Sequence, residues 1–220
     1  MSKRLTGALL VLGIAACQPA DEPFLPAFEQ VDLLIENGSV LDGTGNDATD
    51  VDIVVVGDRI VFVGDAAFSD HDRESRIGSI IDAAGRTVAP GFIDLHSHGD
   101  PLETPEMENF LAMGVTTITL GQDGSSPDVE PLSDWMADVS EKGIGTNLAM
   151  FIGHGTLRTQ SGIGMAETPE PEDMQRMTTM LDDALGYTFG MSSGLEYNPG
   201  LNARTDELRA LARVVGANDR

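Results

Sequence analysis

Past residue 30 the chain is written in short apolar runs punctuated by Gly, Asp and Asn. Residues 31–41 hold one apolar run, an Asn37-Gly38 turn signal and a second apolar run, which predicts a β-hairpin. Residues 51–56, the Gly57-Asp58 turn and residues 59–63 predict a second hairpin. The two together make a small β-subdomain over residues 31–85. From Ile80 the rhythm changes. Apolar strand candidates fall at 87–94, 115–120, 148–152 and 187–191, with helical patterns between them. Met107, Phe110, Leu111 and Met113 lie in one helix, and Leu132, Trp135, Met136 and Val139 follow i, i+3, i+4, i+7 in the next. A third spans 170–185, with Pro169 and Pro171 near its start. A fourth opens on Thr205 as N-cap, followed by Asp206 and Glu207, and ends near Gly216.

Strand alternating with helix predicts parallel β/α units. Four of them fit into residues 86–220, whereas a complete (β/α)₈ barrel has eight units over about 250 residues. The expected fold class is therefore α/β: the first half of a TIM-like (β/α)₈ barrel, cut short, preceded by part of a small β-sandwich subdomain. Half a barrel leaves parallel strand edges and uncovered apolar surface. A complete flavodoxin-like sheet of four units is the alternative, but it does not explain the residues found at the strand ends.

The first 17 residues read as an address rather than as structure. Lys3 and Arg4 precede an apolar run over residues 5–16, too short to span a bilayer, which needs about 20 residues. The run ends in Ile14-Ala15-Ala16-Cys17, similar to a bacterial lipobox, with Cys17 as the residue to be lipidated. An ordinary cleaved signal with an incidental Cys17 is the other reading. Residues 18–30, with three prolines, read as a tether. The expectation is an exported lipoprotein, anchored by lipid alone on the periplasmic face. Gln18 after the cysteine is compatible with outer-membrane sorting. A net charge of -23 argues against nucleic-acid binding, which needs a surplus of Lys and Arg. It does not identify a substrate, and the oligomeric state is left open.

The strongest chemical signal is residues 90–98, PGFIDLHSH. His96 and His98 are two apart, so on an extended segment both imidazoles face one side and can meet one metal ion. At the end of an apolar strand within β/α repeats they occupy the place where barrel active sites form. The stretch "AAGRTVAPGFIDLHSHGDP" resembles the first barrel strand of the amidohydrolase superfamily, and "DLLIENGSVLDGTG" and "VDIVVVGDRIVFVG" resemble its β-subdomain. "MGVTTITLGQDGSS", "IGHGTLR" and "GMSSGLEYNPG" narrow the resemblance to the D-aminoacylase, or N-acyl-D-amino-acid deacylase, family. The likeness runs from about Asp32 to at least Gly200.

That resemblance implies zinc as cofactor, one or two ions, and hydrolysis of the amide bond of a small N-acyl-D-amino acid. It implies His96 and His98 as metal ligands. The family often carries a metal-binding Cys in a Gly-Asn-Cys-Gly motif after the second strand, where this chain has Gly121-Gln122-Asp123-Gly124. Asp123 is thus a candidate ligand, with a turn aspartate as the alternative. Glu196 is the competing carboxylate, and the better candidate to bridge two metals, since Lys142 trails a helix and offers no carboxylated lysine at a strand end. His154 and Tyr197 are implied as substrate contacts. The general base is expected to be an Asp beyond residue 220, so the polypeptide alone is expected to be inactive. Two other readings stay open: a different amidohydrolase, dihydroorotase- or dipeptidase-like, and a non-catalytic lipoprotein that binds a metal or a partner.

Overall fold

The computed structural model describes residues 30–220. The leader, Cys17 and nearly all of the expected tether lie outside the described residues. The described residues divide into two compact units, one ending at Pro90 and one over 91–220.

The first unit is a mixed sheet in the order β3-β2-β1-β4. β1 (Val31–Val40) pairs antiparallel with β2 (Thr49–Val56), which turns at Gly57-Asp58 into β3 (Arg59–Gly64). The short helix α1 (Asp70–Arg76) is N-capped by Ser69, whose hydroxyl accepts from Asp72 N–H, and leads into β4 (Ile77–Asp82), parallel to β1. β5 (Thr87–Val88) also lies parallel to β1, beside Ser39 and Val40. Val31, Leu34 and Val54 are the buried centre of this unit.

One expectation is corrected here. Asn37-Gly38 is not a hairpin turn: residues 31–40 form one strand, and the β1–β2 register shifts between Ile35 and Gly38. Asn37 takes the left-handed conformation (φ 56°) that Asn tolerates, and its amide donates to Asp82 Oδ1 at 3.0 Å. Gly38 fits because a β-carbon there would stand 2.6 Å from Val88 Cγ2.

The second unit is a run of parallel strands with helices between them. β6 (Phe92–Asp94), α2 (Glu108–Ala112), β7 (Val115–Leu120), α3 (Leu132–Lys142) and β8 (Asn147–Met150) follow in order, and β6, β7 and β8 pair side by side. Beyond Phe151 the chain continues as β9 (Ile152–Gly153) into α4 (His154–Gln160); then come α5 (Pro171–Leu185), β10 (Met191–Ser192), a 3₁₀ turn (Gly200–Asn202) and α6 (Thr205–Ala217). β10 pairs parallel with β9. Each strand therefore neighbours the one before it in sequence. This is the order of a barrel wall, and it differs from a flavodoxin-like sheet, in which the second strand lies outside the first.

The helices bury one stripe each against this wall. Ile118, Met150, Leu157, Met177, Leu181, Leu185 and Leu211 are at most 1% exposed and form the centre of the core. Three boundaries differ from the sequence reading. The strand expected over 87–94 is broken by Ala89-Pro90-Gly91, so its halves belong to different units. The strand expected over 187–191 starts only at Met191, because Thr188 N–H and Oγ1 both donate to Ala184 O and prolong the end of α5. Thr205 is the first residue inside α6 rather than its cap, a position held by Arg204 without a side-chain bond.

Candidate metal centre

His96 and His98 stand just past the end of β6, and their surroundings fix the backbone that carries them. Asp94 Oδ1 accepts from His96 N–H at 3.1 Å, and Asp94 O accepts from Thr119 Oγ1 at 3.2 Å. Ser97, between the two histidines, is buried and its N–H donates to Thr119 O. With Ser97 turned inward, both imidazoles point outward to the same side, with ring centroids 5.3 Å apart.

The third member comes from the turn after β7. Gly121, Asp123 and Gly124 all have positive φ, at 86°, 55° and 74°. Gly121 is obligatory, since a β-carbon there would lie 2.0 Å from Phe151 O. Gln122 ties the turn to the histidine loop by donating to Leu95 O and Thr119 Oγ1, both at 2.8 Å. Ser192, at the end of β10, clasps it from the other side: its hydroxyl accepts from Gly124 N–H and donates to Gly121 O. The result aims Asp123 Oδ2 at His96 Nε2, 3.3 Å away, and at His98 Nε2, 3.2 Å away.

These three ligand atoms lie within 4.8 Å of one another, the group of metal-capable donors found among the described residues. Their chemistry fits a small divalent cation. A tetrahedral zinc site with bonds of about 2.0–2.2 Å places neighbouring ligand atoms roughly 3.3–3.5 Å apart, close to the two distances from Asp123 to the histidines. With both Nε2 atoms deprotonated, two imidazole lone pairs and one carboxylate oxygen are three donors that a single cation satisfies at once.

The other expected site residues lie elsewhere. Glu196 is exposed and does not belong to the donor group. Tyr197 is 57% exposed and lines a cavity of about 520 Å³ together with Asp123, Ser126, Thr156 and Asn198. A second cavity of about 330 Å³, beside His98 and Trp135, also has Asp123 in its wall. His154 follows β9 as the first residue of α4, fully buried, with Nε2 2.8 Å from Glu207 Oε1. Its ring is not part of the larger cavity's lining, though the adjacent Gly155 is. Lys142 closes α3 and donates to Leu102 O.

The sequence reading passed over Gln122, Ser192 and Glu207. Gln122 is visible only once the ends of β6 and β7 are side by side, and Ser192 only once β10 reaches the turn after β7. Glu207 had a faint signal, since His154 and Arg158 share one face of a helix at i, i+4 and a buried arginine requires an acid.

No protein-family profile matches the chain. It is 35% identical over 212 residues to an N-acyl-D-glutamate deacylase of Alcaligenes xylosoxydans xylosoxydans, covering 86% of this chain and 42% of that protein. Its fold superposes with a TM-score of 0.79 on the N-acyl-D-glutamate deacylase of Bordetella bronchiseptica, crystallised with zinc and a phosphonate mimic of the tetrahedral intermediate, at 29% identity over 87% of this chain and 44% of that one. A D-aminoacylase that defines a subset of amidohydrolases gives a TM-score of 0.74 at 30% identity, over 86% of this chain and 44% of that one. The chain thus spans about two-fifths of the length of the curated relatives it matches.

Proposed function

Since the chain belongs to the D-aminoacylase family of amidohydrolases, we propose that it forms the metal-binding part of an enzyme that hydrolyses the amide bond of N-acyl-D-amino acids, with zinc held by His96, His98 and Asp123. The observation that carries this is the convergence of the three side chains on one point at the ends of two parallel strands, where active sites of β/α barrels are built. A zinc ion there supplies Lewis-acid polarisation of the amide carbonyl and an activated water.

The chain's own residues then do the rest of the positioning. His96 and His98 bring two neutral nitrogen donors, and Asp123 brings the negative charge. Asp123 takes the carboxylate role in preference to Glu196, which stands outside the donor group. Tyr197 contacts the substrate from the wall of the larger cavity. Thr156 and Ser126 in the same wall are already committed to each other, Thr156 Oγ1 donating to Ser126 O at 3.0 Å and accepting from Ser126 N–H at 2.9 Å. They shape the cavity and leave recognition to Tyr197 and its neighbours.

Calorimetric titration of the chain with zinc is expected to give one tight site, lost in His96→Ala, His98→Ala and Asp123→Ala. A titration unchanged by all three substitutions would overturn the ligand assignment. The activity is tested on the gene's full product, by release of free amino acid from N-acetyl-D-amino acids. No turnover with zinc bound, or turnover of L-substrates only, would refute it.

We also propose export and lipid anchoring through Cys17, supported by Lys3, Arg4 and the apolar run that ends at Ala16. Radiolabelled palmitate should enter the protein in cells and be lost in Cys17→Ser.

A further inference from the structure

Behind the cavity wall lies a charged cluster sealed from water. His154 and Arg158 are 0% exposed and Glu207 is 3% exposed. Arg158 Nη1 donates to both carboxylate oxygens of Glu207, at 2.8 and 2.7 Å. The rest of the guanidinium is spent on Gly164 O and Ala166 O. The ion pair is therefore complete without the histidine. Yet His154 Nε2 also reaches Glu207 Oε1, at 2.8 Å, while its Nδ1 is buried with no hydrogen-bond partner among the described residues. A group kept only for packing has no need of this arrangement, because an unpaired buried polar atom is costly.

A carboxylate already bound to a guanidinium can only accept. His154 Nε2 must therefore carry a hydrogen, which in the neutral ring leaves Nδ1 as a bare acceptor. It faces Gly200, where a β-carbon would stand 3.8 Å from Nδ1, at the end of the loop that carries Tyr197. The same first turn of α4 is fastened to the loop after Asp123. Gly155 N–H donates to Gly124 O at 2.7 Å, and Gly153 N–H donates to Ser126 Oγ at 3.1 Å. Any side chain at Gly153 would meet Gly124 O at 2.6 Å, so the two backbones touch.

We infer that Glu207 is a positioning residue for the metal centre: it fixes His154 as the Nε2–H tautomer and, with Arg158, sets the α4 turn that holds the Asp123 loop. The inference rests on the proposed role of Asp123 as a ligand, but its first test does not involve metal. In the long-range ¹H–¹⁵N spectrum of the imidazoles of the full chain, His154, assigned by its loss in His154→Gln, should show one tautomer with the hydrogen on Nε2. A hydrogen on Nδ1 would overturn the inference whether or not the chain binds zinc.

The second test is Glu207→Gln. Its side-chain amide can accept from Nε2–H or donate to a bare Nε2, so the single tautomer should give way to a mixture. Affinity for Co(II), followed by its visible absorption, should fall about tenfold, the lower end for outer partners of a metal site. Because Glu207→Gln leaves Arg158 unpaired and can fail to fold, the double variant Arg158→Met with Glu207→Leu removes both charges together. If that variant keeps its circular dichroism, weaker Co(II) binding supports a positioning role. Unchanged Co(II) affinity and spectrum in the folded variant would reduce the cluster to a structural brace and overturn the inference.

Discussion

Asp123 and Gly194 are pressed backbone to backbone: a β-carbon on Gly194 would stand 2.0 Å from Asp123 O. The candidate ligand is thus wedged between the histidine loop on one side and the 194–200 loop on the other. Gly194→Ala should cost about 1–3 kcal/mol in denaturant unfolding, the usual range for overpacking, and should weaken zinc binding at the same time. A variant with the midpoint and zinc affinity of the parent would show that the loops move apart freely.

Asp123→Asn keeps the size of the side chain and removes its charge. Zinc affinity should drop by at least about tenfold, or ~1.4 kcal/mol, with little change in fold. Asp123→Cys supplies a soft thiolate instead. It should shift preference toward zinc over manganese, read from competition titrations, and produce a sulfur-to-metal charge-transfer band with Co(II).

Core packing gives a contrast that needs no ligand. Leu181 is 0% exposed and Leu201 is 60% exposed. Leu181→Ala should cost about 2–5 kcal/mol, whereas Leu201→Ala should stay within about 0.5 kcal/mol of the parent. Equal effects in urea unfolding would mean that the second unit does not pack as described.

In the first unit, Asp72 is held below its ordinary value of 3.8, first by the Ser69 hydroxyl and then by Arg76. A depressed carboxyl contributes stability that is present above 3.8 and fades as pH falls through its folded value. Ser69→Ala should therefore narrow the stability gap between pH 6 and pH 2 in acid unfolding. An unchanged acid profile would remove Ser69 as the cause.

What the sequence made legible follows from how local each feature is. His96-x-His98 after an apolar strand needs only one segment to declare itself, and so do the amphipathic stripes of α3 and α5. Strand order could be anticipated from the rhythm of β and α. Asn37-Gly38 misled because its usual hairpin meaning was overridden by β4 and β5, which pair with the same strand from the far side. Asp123 was ambiguous until β6 and β7 were set in register. Glu207 and Ser192 lie 53 and 71 residues from partners they bind, His154 and Gly121, and no local pattern encodes a contact across such a separation.

β6, which leads into both histidines, is only three residues long and sits at the edge of its sheet, with its Phe92 and Ile93 and the following Leu95 exposed. Edge segments with few buried contacts open most readily, and their amides exchange with solvent first. A cation shared by His96, His98 and Asp123 ties this loose margin to the turn after its inner neighbour. Binding to the closed form alone adds RT ln(1 + [L]/Kd) to its stability, about 2.7 kcal/mol at a hundredfold excess over Kd. Amide hydrogens around residues 93–98 should therefore slow on loading while those of α5 stay as they are, making the ion a clasp for the sheet margin as well as a reagent.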